Sequence, residues 1–404
     1  MISQKDTEIL RELAKKQLEY AHLPKMDRLK NDWVLLNTCK GSKPMVTVEI
    51  NTFYEEIIPE RMRCEGDEAR RIEQALYFNI LNHELFDDDT VVKDYFPVMY
   101  QHYFKPFNID IEVTHLEKSL GHHFTEFIKD FKEDRHLLKK SSFGILKDNH
   151  VPYLNMVNDI FGDILPVKLI GSCLYASVTQ NLVHVMSMET MFTAMYDYPE
   201  LFKEVMNNLS NDYLEYFYAL EKEGVLLPTT GGEWLAQGTF CYNDEQKNAG
   251  AITTKDVWGY LDSQETVGIS PDMFAEFIFP YYKKISDCYG LLSYGCCEPV
   301  DPFWEDCLST MPNLRKISIS PWCNEEYMGE QLKGKKIVYL RKPSPNFLGV
   351  NKELDEDKLR AHIKKTVNAA KGCTLEFSQR DVYTIHSNPQ KVRRYVEIIR
   401  EETV

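Results

Sequence analysis

Hydrophobic and polar positions follow two periods along this chain. The opening MISQKDTEILRELAKKQ has the 3.6-residue spacing of an amphipathic helix, and the first 30 residues read as helix. Strand alternation follows in KPMVTVEI, where Val46, Val48 and Ile50 alternate with Met45, Thr47 and Glu49. Helical spacing returns at Ala69, Ile72, Ala75, Leu76, Ile80 and Leu81, and the TVVKDYFPVMY run after it is strand-like. The β-branched ILPVKLIGSC predicts a further strand, with helices over 182–195 and 199–223. GVLLPTTGGEWLAQGTFCYNDEQ, rich in Gly and Thr, reads as a strand plus a long loop of the kind that carries functional groups. From Tyr289 the pattern becomes regular. GLLSYGCC, LRKISISPW, KIVYLRKP and TLEFSQRDV predict strands, each followed by a helical segment: DPFWEDCLSTM, NEEYMGEQL, DEDKLRAHIKKTVNAA and NPQKVRRYVEII.

Four successive strand–helix units require a parallel sheet, either open and doubly wound or closed into a barrel. No GxGxxG or GxxxxGK[ST] turn follows any of the strands, which removes the main sequence support for a dinucleotide or P-loop fold. The expected fold is therefore α/β, a (β/α)8 TIM barrel with an N-terminal helical extension over 1–65 and the barrel over 66–404. A length of 404 residues suits that size.

Composition narrows the function. The chain is 43% hydrophobic, 27% charged and 12% aromatic, an ordinary globular profile, and its net charge of -15 argues against non-specific nucleic-acid binding. No apolar run approaches the roughly 20 residues of a membrane span, and the charged start lacks the apolar region of a signal peptide, so a cytoplasmic enzyme is expected. Ten cysteines are scattered without a CxxC pair, so most read as reduced, buried thiols. His122 and His123 lie in an acidic, lysine-rich segment and read as solvated rather than as ligands.

In a barrel of this kind chemistry gathers at the C-terminal ends of the strands. Those tails here are Tyr294, Cys296, Cys297 and Glu298; Ser320, Trp322 and Cys323; Arg341 and Lys342; and Gln379, Arg380 and Asp381. Cys296, Cys297 and Glu298 offer thiolates and a carboxylate to zinc, or one thiolate nucleophile; alternatively the thiols are simply buried and Glu298 favours a helix dipole. Neighbouring strand residues point to opposite faces, so only one cysteine serves a site unless the strand has ended there. Arg341 and Lys342 suit a substrate carboxylate or phosphate, or a surface ion pair. Asp381 is an acid, base or ligand oriented by Arg380, or half of a structural salt bridge. Glu265, at a loop–helix junction, is a metal ligand or a cap. Tyr242, Asp244 and Glu245 contact substrate or form an ordinary turn.

SQETVGISPDMFAEFIFPYYKKI, SYGCCEP, NLRKISISPW and NPQKVRRYVEIIRE together resemble the uroporphyrinogen decarboxylase superfamily, nearest to its cobalamin-dependent methyltransferase branch, from about Asp163 to the end. The resemblance implies a (β/α)8 barrel with a deep cleft. The decarboxylases of that family carry an arginine-rich segment near the N-terminus, whereas NTCKGSKPMVTVEI has lysines and no arginine. The methyltransferases hold zinc with His-x-Cys and a later Cys; here Tyr294 and Cys296 occupy the first two positions, and Arg380-Asp381 falls near the third. The expected function is a zinc-assisted methyltransferase that moves a methyl group from a small methoxylated or N-methylated compound to a corrinoid. The metal set would be Glu265, Cys296 and Cys297; the catalytic groups Asp381, Tyr294 and Glu298; and the substrate contacts Tyr242, Asp244, Trp322, Arg341 and Lys342. The corrinoid must arrive on a separate protein, because the D-x-H-x-x-G signature is absent: Asp148-Asn149-His150 lacks the glycine. No nucleic acid or membrane partner is expected, and a homodimer is left open. The alternative is a metal-independent carboxy-lyase acting on a small acid with Arg341, Lys342 and Asp381.

Overall fold

In the computed structural model, residues 2–115, 122–246 and 250–403 are described. Two helices open the chain, α1 (Gln4–Ala21) and α2 (Pro24–Asn37), parted at Leu23 because Pro24 takes the first helical position. Nine strands carry the architecture: β1 (Met45–Val48), β2 (Phe96–Met99), β3 (Val167–Ile170), β4 (Leu174–Ala176), β5 (Trp258–Leu261), β6 (Leu291–Tyr294), β7 (Leu314–Ile319), β8 (Val338–Arg341) and β9 (Thr374–Gln379). Seven of them form a fully parallel sheet in the order β1-β9-β8-β7-β6-β5-β4. Consecutive strands are neighbours throughout, and the last pairs with the first. That order belongs to a wall curling on itself, not to a doubly wound sheet, whose order reverses midway.

The wall continues past β4. β3 and β4 are separated only by Gly171, Ser172 and Cys173, and β3 pairs in parallel with β2. Between β2 and β1 no backbone ladder forms among the described residues, so the expected closed barrel is a barrel-like wall with one unladdered seam. Side chains occupy the seam. Asp89 Oδ2 accepts from Val46 N at 2.8 Å, Asp88 Oδ2 accepts from Val48 N at 2.9 Å, and Asn82 donates to Val48 O at 2.8 Å. These bonds satisfy backbone groups on β1 that a ladder would otherwise pair. β1, which falls within the stretch expected as an N-terminal extension, is thus part of the wall.

Helices α3 (Asp67–Leu81), α4 (Val178–Val183), α5 (Met188–Asp197), α6 (Pro199–Lys222), α7 (Pro271–Phe277), α8 (Phe279–Ser286), α9 (Glu325–Leu332), α10 (Glu356–Ala369) and α11 (Pro389–Glu402) are among those that accompany the wall. The expected helix over 182–195 is two helices, because Ser187 caps α5 by accepting from Thr190 N. DPFWEDCLSTM forms only the 3-10 turns Asp301–Phe303 and Leu308–Thr310; Trp304 is buried there and donates to Gln331 at 3.1 Å. The strand-like 90–100 run is extended and paired only over Phe96–Met99. His122–Phe124 pairs antiparallel with Val113–His115, and the side chains of both histidines lie outside the described residues.

The interior of the wall is unusually polar. A barrel of this type is normally packed with layers of branched aliphatic side chains. Here Lys316 on β7 donates to Glu376 on β9 at 2.7 Å and to Thr239 at 2.6 Å, with both ionic side chains fully buried. Thr239 belongs to a hairpin, bridged at Trp234 and Phe240, that inserts among the strands. Thr47 donates to Gly238 O at 2.7 Å from β1, and Ser378 donates to Gln237 O at 2.8 Å from β9. Its tip turns through Ala236, Gln237 and Gly238, all with positive φ, and a Cβ at Gly238 would sit 2.1 Å from Ser378 Oγ. The predicted strand and loop over 224–246 is therefore, in its second half, a plug inside the wall.

Candidate functional site

A cleft of about 770 Å³ opens at the C-terminal ends of the strands. It is lined by residues that follow β5 to β9, by Tyr175 on β4 and Gln180 on α4, and by Gln237 from the plug.

β6 ends at Tyr294, and Gly295 follows with φ 98, a conformation that favours glycine. The strand's two-face alternation stops there, so Cys296 and Cys297 both line the cleft. Their sulfurs are 3.6 Å apart, and Cys297 Sγ is 3.8 Å from Asp381 Oδ2. Sharing one hydrogen bond splits the pair. The Cys297 thiol is held below its ordinary value because Cys296 donates to it, aided by the Lys342 ammonium, while that hydrogen bond and then burial push Cys296 up. Cys297 is thus the sulfur that ionises first.

Lys342 follows β8 and points inward, with its ammonium bonded to Gln237 and, at 3.0 Å, to Cys296 O. Burial lowers its pKa. Arg380, after β9, also lines the cleft; it pairs with Glu49 and donates to Gln237. Gln237 therefore holds both cations. Arg341 faces the other way, donating to Glu325 on α9 at 2.9 Å and to Ile319 O and Ser320 O. It braces a helix and does not reach the cleft.

Glu298 is fully buried and clamps two loops, accepting from Ser263 N at 2.9 Å and Cys296 N at 2.8 Å. Tyr294 is also buried; its hydroxyl pairs with Ser263 Oγ at 2.6 Å, and it does not line the cleft. Glu265 accepts from Thr179 on α4 at 2.8 Å, and burial raises its pKa. Tyr242 and Asp244 sit toward the opposite end of the strands. Asn37, ahead of β1, donates to Tyr242 O at 2.7 Å, and Asp244 lies 3.8 Å from Lys40. Trp322, 76% exposed, stands at the rim.

Among the described residues no group of three His, Cys, Asp or Glu side chains is placed to hold a metal ion. The expected Glu265–Cys296–Cys297 set is not assembled: Thr179 engages Glu265, Glu298 is spent on backbone N–H groups, and the Lys342 ammonium acts on both thiols.

Sequence reasoning missed Asp262, Gln237, Tyr175, Gln180 and Gln264, all of which line the cleft. Asp262 directly follows β5 and is 2% exposed; its Oδ2 accepts from Tyr260 at 3.0 Å and its Oδ1 has no partner. Burial, then Glu298 and Cys296, raise its pKa well above the carboxylate range. The strand-tail rule would have found Asp262 had VWGYLD been read as a strand.

No family model matches the chain, and neither does any curated protein. Among solved structures 25 chains match. One is a methyltransferase from Methanosarcina mazei, aligned over 93% of this chain and 98% of its own, with TM-score 0.50 and 13% identity. The likeness is one of fold, and it extends over nearly the whole of both chains.

Proposed function

We propose that the strand-end cleft is the active site of a methyltransferase related to the uroporphyrinogen decarboxylase superfamily, which moves a methyl group from a small donor to a corrinoid carried on a separate protein. The observation that carries the reading is the ionisable set Cys297, Asp381 and Lys342, gathered at strand ends in a cleft of small-molecule size. The fold it shares with a methyltransferase is in keeping with this. Cys297 and Asp381, with the Lys342 ammonium among the same lining groups, orient a polar donor, and the open mouth, with Trp322 and Tyr383 exposed beside it, leaves room for a macromolecular acceptor. Cys297 and Asp381 then act on the bound donor, while Gln237 and Glu298 hold the floor in shape.

The test is methyl transfer to cob(I)alamin from a panel of O-methyl and N-methyl donors, with metal analysis of the same preparation. Methylcobalamin should accumulate, at least 100-fold more slowly with Cys297→Ala. Failure with every donor, together with carbon dioxide release from a candidate acid, would replace the reading with a metal-independent carboxy-lyase. That second reading draws on the paired cations Lys342 and Arg380 in the cleft.

A further inference from the structure

We infer that Asp262 is a catalytic acid that protonates the oxygen leaving with the demethylated product, and that the methyl donor is therefore a methyl ether bearing a carboxylate that Lys342 binds. The inference rests on the methyltransferase reading and narrows its substrate class.

Three observations carry it. Asp262 sits in the cleft at a strand end, almost wholly buried, with Oδ1 unpaired. A buried carboxylate with an unpaired oxygen is costly, whereas the protonated acid in the same place holds a hydrogen ready to donate. The single Tyr260 hydroxyl hydrogen is shared between Oδ2 at 3.0 Å and Gly295 O at 3.2 Å, so Oδ1 is the oxygen without a partner.

The groups acting on Asp262 favour the protonated acid. Burial, then Glu298 and Cys296 from the segment after β6 and Glu265 from the turn after β5, raise its pKa, and the hydrogen bond from Tyr260 only partly opposes them; the other nearby phenols, Tyr175, Tyr213, Tyr282 and Tyr294, are themselves raised and stay neutral. Each ionised acid among them opposes a second negative charge on Asp262.

Lys342 supplies the third observation. Its ammonium has three donors, and two are spent on the carbonyl oxygens of Gln237 and Cys296. The remaining one suits a carboxylate and repels a quaternary ammonium. The two donor classes differ in the same sense. An ether leaves as an alkoxide or phenolate, whose negative charge an acid must relieve, while a quaternary ammonium leaves as a neutral amine that needs no proton.

In the step, the O–CH3 bond breaks with its electron pair going to oxygen. The methyl group passes to the acceptor, a reduced corrinoid brought by the partner protein, which contributes the electron pair of the new bond. The Asp262 O–H bond breaks and its proton goes to the departing oxygen. Solvent then returns a proton to the carboxylate.

The experiment compares wild type with D262N, a neutral near-isostere that keeps the shape of the site, on a series of methoxybenzoates of graded phenol acidity and on a quaternary ammonium donor. Wild type should use the methoxybenzoates, lose kcat on the alkaline side, and depend weakly on leaving-group acidity. D262N should lose about 100-fold or more in kcat with KM within about threefold, lose the alkaline limb, and depend steeply on leaving-group acidity. An infrared difference spectrum between the two proteins at pH 7 should contain the C=O stretch of a protonated carboxyl. Transfer by wild type with D262N unimpaired overturns the inference and leaves the methyltransferase reading standing. Transfer only from the quaternary ammonium, or no protonated-carboxyl band, also overturns it. No transfer from any donor removes the methyltransferase reading and the inference together.

Discussion

Lys316 and Glu376 form an ion pair with no exposed side-chain surface, and Glu376 Oε1 has no partner. Breaking such a pair strands a charge. Lys316→Met should cost about 3–5 kcal/mol in urea unfolding, and Lys316→Met with Glu376→Leu should recover most of the loss. Asp262 makes the opposite prediction. Burial lifts its carboxyl above the unfolded value, so its contribution to stability is complete only below about pH 4 and is lost as pH rises through the folded value. D262N removes that loss. Its Tm in thermal unfolding should exceed wild type at pH 8 and converge with it toward pH 4; equal Tm at pH 8 would mean that the carboxyl carries no burial strain. At this scale the sequence was legible where position alone decides. The cysteine pair stands out because it follows a strand, but the face that each side chain takes is set by pleat phase. Arg341 and Lys342 are adjacent cations with opposite fates, one bracing α9 and the other on the cleft floor. Glu265 and Glu298 read as metal ligands or helix-end charges because their actual partners, Thr179 and the backbone of Ser263, are distant in the chain or invisible to side-chain patterns.

The plug hairpin is the element that the sequence concealed. Its turn places Ala236 and Gln237 in left-handed backbone, and only Gly238 advertises such a conformation. The Gly- and Thr-rich composition reads as loop because the polar wall that receives it comes from β1, β7 and β9, far off in sequence. Gly238→Ala should therefore cost about 2 kcal/mol or more in urea unfolding, since its Cβ has no room beside Ser378. Gln237→Ala leaves the backbone bonds of the plug in place but frees Lys342 and Arg380 from their common acceptor. It should raise KM for a carboxylate-bearing donor by about tenfold, the effect of roughly one lost polar contact, in steady-state kinetics. The regular strands after Tyr289 were legible for the opposite reason. Each is a short buried run followed by its own covering segment, so local pattern and tertiary role agree.

Across the whole molecule the seam between β1 and β2 is the feature that pattern reading could not supply. Parallel order implies a closed wall, yet closure here depends on carboxylates from a loop. The C-terminal helix secures the loop: Arg400 on α11 lies 2.7 Å from Asp89, and Arg393 donates to Glu84 O at 2.8 Å. Asp89→Ala should destabilise the protein by about 1–3 kcal/mol, because Val46 N then loses its acceptor inside the structure. Arg400→Ala should cost less, its side chain being partly solvated. Urea unfolding of the two variants should preserve that order.

The same seam sets a timetable for biosynthesis. Among the described residues β1, at residues 45–48, has no strand partner on the β2 side, and it pairs in a ladder with β9 at residues 374–379. A nascent chain must therefore emerge through residues 374–379 before β1 gains a ladder partner. Until then the early segment waits with an unpaired edge, dependent on its own helices or a chaperone for cover.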